Sequence, residues 1–333
     1  MPELLSAYEL IRCIGIGGMA EVHLARHREA PAERPVVVKR LLPKFARKPE
    51  YAQMFMDEAR LGMRMKHPNV VETIGWGLAG GTPFMVMECV DGPQLGDVVT
   101  RLAERGQKVP VHVAAAIISK AALGLHHAHG LTDDAGRALQ VVHRDVGPQN
   151  IMVTRTGDVK VVDFGVAKAR TQASTTQAGV LKGKVGYSSP EQCACKPLDR
   201  RSDVWALGVT LHELLTGTRL FVGENPLELM QRIIRGHIAV PSSVDRGIPR
   251  DLDSVVMSAL TQNVDRRTPD AASFANQLQE FLNRSGQPMP AAALAAWLAR
   301  DVGDLLGEPL AGPAPAPAEY EILSVEERRQ GFY

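Results

Sequence analysis

At 333 residues and 45% apolar content, the chain is long enough for two lobes or domains of an ordinary soluble protein. Its 38 basic and 37 acidic side chains leave a net charge of +1, which gives no whole-chain electrostatic case for a nucleic-acid or membrane partner. The N-terminus lacks a charged region followed by an apolar one, and no uncharged apolar run of about eighteen residues occurs, so a cytoplasmic protein is expected.

Residues 8–14 alternate polar and apolar and read as a strand, and residues 22–25 read as a second. Between them lies Gly15-Ile16-Gly17-Gly18-Met19-Ala20-Glu21. Such a turn lets backbone N–H groups approach phosphate oxygens, and taken alone it is as easily a plain hairpin turn. A dinucleotide fold would need a helix after the glycines, whereas residues 21–25 read better as strand. Residues 35–40 form a β-branched strand carrying Lys39. Residues 51–66 have helical periodicity, and there Glu58, beside Asp57, is in isolation an ordinary solvated glutamate. His67-Pro68 ends that helix, because the residue before proline avoids helical geometry. Residues 84–88 read as a buried strand entering the turn Cys89-Val90-Asp91-Gly92.

Residues 95–106 and 111–129 read as helices, with His126, His127 and His129 closing the second as capping and packing groups in preference to a metal cluster. Residues 131–140 form a surface loop, followed by Val142-His143-Arg144-Asp145-Val146-Gly147-Pro148-Gln149-Asn150 and, further on, Asp163-Phe164-Gly165. The stretches 151–154 and 159–162 are short apolar strands joined by a polar turn with Gly157-Asp158, a hairpin. A hairpin brings its ends together, so Asp145, Asn150 and Asp163 can converge. Oxygen ligands suit a hard cation such as Mg²⁺, which usually brings phosphates with it. A carboxylate not needed for metal could take a proton from an attacking hydroxyl. These residues by themselves point to metal-assisted phosphoryl transfer.

In order and spacing these motifs resemble the eukaryotic-like (Hanks-type) serine/threonine protein kinases, in their bacterial style. The resemblance covers residues 8–283 and implies an α+β, two-lobed kinase-like fold. After a lead at 1–7 would come a small β-rich N-terminal lobe (8–88), a hinge (89–92) and a larger, mainly helical C-terminal lobe (93–283). It implies ATP with Mg²⁺, or Mn²⁺ as the alternative ion, and transfer of the γ-phosphoryl group to Ser or Thr of protein substrates. Tyrosine specificity is disfavoured, because the tyrosine-kinase pattern after Asp145 is absent.

By the same resemblance, Ile14, Gly15, Ile16, Gly17, Gly18, Met19, Ala20, Glu21 and Val22 would cover the nucleotide. Lys39, ion-paired with Glu58, would hold its α- and β-phosphates. Backbone groups of Glu88 and Val90 would bind adenine, with Met87 behind it; an ordinary strand and turn is the alternative. Asp145 would orient and deprotonate the hydroxyl, and Asn150 and Asp163 would hold the metal. Glu191 would pair with Arg267, and Asp203 would hydrogen-bond the catalytic-loop backbone. Thr175 or Thr176, in a polar activation segment with Thr171 and Ser174, would be autophosphorylated and clamped by Arg144 and Lys168.

Three departures stand out. Ala20 replaces the family's third glycine, Gly147 its catalytic-loop lysine, and Lys184, after Gly183, its usual threonine. Lys184 is expected to supply the ammonium missing at Gly147. The competing reading is a pseudokinase-like nucleotide-binding scaffold. A small-molecule phosphotransferase would have lost Ser189-Pro190-Glu191, which is present. Cys193 and Cys195 could be half a metal site, but no second pair accompanies them, and with Cys13 and Cys89 they suit a reducing compartment.

Helices over 203–215, 225–236, 249–261 and 269–283 complete the lobe. In the region 284–308, an extra helix has Leu294, Trp297, Leu298, Val302 and Leu305 on one face. It docks on the large lobe or, alternatively, receives a regulatory partner; docking is preferred because exposed tryptophan is costly. Residues 309–333 read as a Pro/Ala linker and a charged tail, mobile or a docking peptide.

Overall fold

The computed structural model describes residues 3–5, 7–30, 32–164 and 185–312. They fall into two units, one of Met1–Lys66, Val71–Asp91 and the segment from Glu308 onward, the other of His67–Val70 and Gly92–Gly307.

The first unit is an antiparallel sheet of β1 (Glu3–Leu5), β2 (Tyr8–Ile16), β3 (Ala20–His27), β4 (Val36–Leu41), β5 (Thr73–Ala79) and β6 (Thr82–Glu88), ordered β1-β2-β3-β4-β6-β5. The period-two pattern of β4 explains its place: Val36 and Val38 are fully buried against Leu10, Ala25, Ile74, Phe84 and Val86, whereas Lys39 faces the other way. Helices α1 (Pro43–Ala46) and α2 (Pro49–Arg64) follow β4, each opened by a proline at its first turn. Ala52, Met54, Phe55 and Ala59 form the buried face of α2.

Two strands escape a reading of hydrophobic pattern. Residues 3–5, read as part of a lead, pair with β2 in the register Leu5↔Tyr8. The glycines of Thr73-Ile74-Gly75-Trp76-Gly77 hide β5, and the reason for one of them is spatial. A Cβ on Gly77 would lie 3.0 Å from the Phe84 ring of β6.

The second unit is built on α4 (Val111–His129), whose residues from Val113 to Ile118, with Ala121, Ala122 and Leu125, are buried. It packs against α6 (Arg201–Thr216) and α10 (Ala271–Arg284), while α9 (Arg250–Ala259) supports both. The other helices are α3 (Leu95–Glu104), α5 (Pro190–Cys193), α7 (Pro226–Arg235), α8 (Pro241–Val244) and α11 (Ala291–Val302). A small hairpin pairs β7 (Ile151–Val153) with β8 (Val159–Val161) in the register Ile151↔Val161.

The apolar face of α11 is covered within this unit: Leu294, Trp297, Leu298 and Val302 are buried, and α11 packs on α3. Asp304 accepts from Arg101 and, at 2.8 Å, from Arg105. Gly157, in the β7–β8 turn with φ of 82°, makes room for the helix; a Cβ there would come within 1.8 Å of the Ala291 carbonyl. Among the described residues no helix is long and apolar enough to cross a membrane.

Candidate active site

In the first unit, β2 and β3 flank the glycine turn, and β3 is a strand, which removes the dinucleotide-fold alternative. The Gly17 N–H donates to the Ala20 carbonyl at 2.8 Å and closes the turn. Ile14, Ile16, Gly17 and Gly18 are exposed, Gly15, Met19, Glu21 and Val22 half-buried, and Ala20 is buried at the start of β3. Glu21 is engaged by Arg40 at 2.7 Å and lies 3.4 Å from the His23 ring.

Register Val22↔Lys39 sets the lysine beside the end of the turn. Its ammonium meets the Glu58 carboxylate of α2 at 2.9 Å, with the side chains 16% and 10% exposed. Partial burial excludes water from the pair and strengthens it relative to a surface pair. Met87 is buried in β6. The Glu88 N–H is taken by the Glu72 carbonyl at 2.9 Å. The Glu88 carboxylate accepts the Glu72 N–H at 2.8 Å. Val90 is half-buried, and burial above all pushes the neighbouring Cys89 thiol up to about 11, leaving it neutral.

In the second unit, hydrogen bonds tie the residues of the loop 143–150 together. The Asn150 amide donates to the Asp145 carbonyl at 2.7 Å and to its carboxylate at 3.2 Å. The Val162 N–H donates to the Asn150 carbonyl at 3.0 Å, so the hairpin binds Asn150 to the residue before Asp163. His143, fully buried, has Nε2 3.0 Å from the Val162 carbonyl and its ring 4.6 Å from that of Phe164. With Nδ2 turned to Asp145, Asn150 has its amide oxygen to offer a cation. That oxygen and the Asp163 carboxylate are the hard donors a divalent cation such as Mg²⁺ takes.

Two non-glycine residues here have left-handed backbones, Arg144 with φ of 67° and Asp163 with φ of 56°. Such conformations persist only where the surroundings impose them. Asp203, in the first turn of α6, does so for Arg144: its carboxylate accepts the N–H groups of His143 at 2.8 Å and Arg144 at 2.9 Å. His129 Nε2 lies 2.8 Å from the same carboxylate. Burial opposes the charge on Asp203, but the bond and charge of His129, with the His143 ring and N–H, outweigh it and hold the carboxyl below its ordinary value.

The histidines closing α4 are thus divided. His129 serves Asp203, His127 stacks on His67 at 5.1 Å, and His126 is exposed. Among the described residues no three His, Cys, Asp or Glu side chains are grouped to hold a metal. Burial, then Glu191 and Cys195, push the Cys193 thiol up to about 12.

Gly147 has φ of 179° and ψ of 174°, extended backbone open to any residue. A Cβ there would meet the flexible Gln149 amide at 3.2 Å and the Tyr187 ring at 3.4 Å. Glu191 and Arg267 form a two-pronged pair at 2.6 and 2.9 Å. Gly165, Lys168, Thr171, Ser174, Thr175, Thr176, Gly183 and Lys184 lie outside the described residues. Two polar residues escape the sequence reading. Gln192 and Ser189 form a capping box, a pattern legible as Ser-Pro-Glu-Gln. Glu213, receiving the Tyr187 hydroxyl at 2.7 Å, has no comparable local signature.

A protein-family model described as "Protein kinase domain" matches residues 8–284. The chain is 39% identical over 298 residues to "Tyrosine-protein kinase MasK" of Myxococcus xanthus, covering 89% of this chain and 46% of that protein. It is 37% identical over 291 residues to "Serine/threonine-protein kinase PknB" of Mycobacterium tuberculosis, covering 86% of this chain and 44% of that one. The chain therefore spans less than half the length of these curated relatives. The crystal structure of the Mycobacterium tuberculosis PknI kinase domain superposes with a TM-score of 0.60 at 25% identity, over 84% of this chain and 97% of that domain. With the kinase motifs on the elements just described and this match across most of its length, the chain belongs to the protein kinase family.

Proposed function

We propose that the chain is a serine/threonine kinase domain, read as residues 8–283, that transfers the γ-phosphoryl group of Mg·ATP to protein hydroxyls. The observation that carries this is the bonded set Asp145–Asn150–Val162, which ties the loop of Asp145 through Asn150 to the residue before Asp163. Asp145 orients the acceptor hydroxyl and takes its proton. Lys39, held by Glu58, grips the nucleotide phosphates under the glycine turn from Ile14 to Val22, and Met87, Glu88 and Val90 line the adenine position. A divalent ion on Asn150 and Asp163, Mg²⁺ or alternatively Mn²⁺, neutralises phosphate charge when bound. The intact set of acids and the Lys39–Glu58 pair favour this reading over a scaffold without catalysis.

Serine/threonine specificity rests on the name of PknB and on the absent tyrosine-kinase pattern. The name of MasK favours tyrosine as the second reading. Label transferred from γ-labelled Mg·ATP, recovered after acid hydrolysis as phosphoserine and phosphothreonine, is the expected result. Phosphotyrosine alone would end the serine/threonine assignment. Label on Thr175 or Thr176 is expected for autophosphorylation. Substrates are proteins met in the cytoplasm, and the tail beyond α11 is the place for a regulatory partner.

Lys184 is proposed to replace the cation absent at Gly147, a contribution of roughly 10²–10³ in rate for one such donor in a dry site. Lys184→Thr is expected to lower kcat accordingly, and adding Gly147→Lys, which the extended backbone admits, to recover much of it. Unchanged turnover in Lys184→Thr would discard the exchange of lysines.

A further inference from the structure

Gln192 performs two tasks with one side chain. It is the third residue of α5, a single turn whose N-cap, Ser189, is fully buried. The Ser189 hydroxyl accepts the Gln192 N–H at 3.3 Å, and the Gln192 amide oxygen accepts the Ser189 N–H at 2.9 Å. A capping box uses only that oxygen. The other end of the amide, Nε2, donates at 3.0 Å to the carbonyl of Arg144.

That carbonyl belongs to the peptide bond joining Arg144 to Asp145. Arg144 is the left-handed residue whose N–H is held by Asp203 at 2.9 Å. Asp203 therefore pins the peptide before Arg144 and Gln192 pins the one after it. Rotation about the Arg144 backbone is stopped from both sides, and the direction in which the chain enters Asp145 is set. The post that Gln192 stands on is itself anchored, since the adjacent Glu191 is bonded to Arg267 and, at 2.8 Å, to Ser202.

We infer that Gln192 is a positioning residue for phosphoryl transfer, aiming Asp145 through the bond its Nε2 donates to the Arg144 carbonyl. The inference rests on the kinase reading above for its catalytic half and on geometry alone for its structural half. Its effect is on orientation, where small displacements cost large factors in rate. Nucleotide affinity has no part in it.

Three variants of the full chain separate this from ordinary stabilisation. Gln192→Glu keeps the oxygen that caps Ser189 but presents an acceptor to the Arg144 carbonyl. Gln192→Met removes both bonds. Ser189→Ala removes the capping hydroxyl and leaves Nε2 in place. Gln192→Glu and Gln192→Met are expected to lower kcat about tenfold with KM for ATP within about twofold of wild type. Ser189→Ala is expected to melt earlier yet keep kcat within about twofold.

Amide hydrogen exchange over residues 142–150 is the second readout and needs no activity. Faster exchange in both Gln192 variants, but not in Ser189→Ala, is expected. If the wild type transfers no phosphate, the kinase reading fails, while the exchange pattern still decides the positioning. Wild-type exchange in Gln192→Glu would overturn the inference. So would a kcat loss without faster exchange, faster exchange with kcat kept, or a kcat loss in Ser189→Ala equal to that of Gln192→Glu.

Discussion

Asp145→Asn should lower kcat for phosphate transfer roughly 10²–10⁴-fold, the contribution expected of a positioned general base. The amide matches the carboxylate in size, so the bond that Asn150 donates to the Asp145 backbone carbonyl at 2.7 Å survives the change. What is lost is the charge and the ability to take the hydroxyl proton. Asn150 Nδ2 also lies 3.2 Å from the Asp145 carboxylate, and the new amide can still present an oxygen to it. The melting temperature and the affinity for Mg·ATP, measured by calorimetry, should therefore stay near wild type while turnover collapses. A variant within about threefold of the wild-type rate would remove Asp145 from the chemistry.

Arg267→Met should cost roughly 3–5 kcal/mol of stability, because it strips the partner from a largely buried carboxylate. The Arg267 side chain has no exposure and that of Glu191 is 11% exposed. Besides Glu191, the guanidinium donates to the carbonyls of Thr261 and Arg201 at 3.0 and 2.9 Å and lies 5.1 Å from the centre of the Trp205 ring. Its loss thus removes several hydrogen bonds at once. For a chain of this size the expected fall in Tm is about 10 °C. Adding Glu191→Leu removes the stranded charge and should restore part of the loss, as apolar replacement of a buried pair often does.

The pH dependence of this pair has a definite sign. Burial works to raise the Glu191 carboxyl, but the hydrogen bonds and charge of Arg267, with its own backbone N–H and Ser202, outweigh it and leave the group below its ordinary value. Its contribution to stability is therefore present above the unfolded carboxylate value of about 4.3 and lost as pH falls through the lower folded value. In Arg267→Met burial acts unopposed by the guanidinium, so protonation relieves the strain. The stability gap between wild type and variant, followed by denaturant melts, should narrow on acidification. A gap that widens toward low pH would contradict the assignment.

The legible part of this protein lay where chemistry depends on spacing along the chain. Asp145 and Asn150 occupy one short loop, and Asp163 follows a hairpin whose turn and apolar strands are visible in residues 151–162, so their convergence follows from local geometry. The helices α4, α6, α7, α9 and α10 were legible from their apolar periodicity, and the glycine turn from its flanking strands. The Lys39–Glu58 pair needed the family resemblance as a guide, since a helix glutamate next to Asp57 looks no different from a solvated one.

Only the tertiary structure decided the rest. The strand at Glu3–Leu5 owes its state to the neighbour it pairs with, and β5 carries glycines where hydrophobic alternation would announce a strand, one of them opposite the Phe84 ring. Three similar histidines at the end of α4 received three different environments because the opposing surfaces differ, and sequence does not carry those surfaces. The open face of α11 was closed by α3, with Gly157 leaving the space. The hold of Gln192 on Arg144 spans 48 residues. A local rule could announce its capping box, but the partner of its second nitrogen depends on how the folded chain brings two distant loops together.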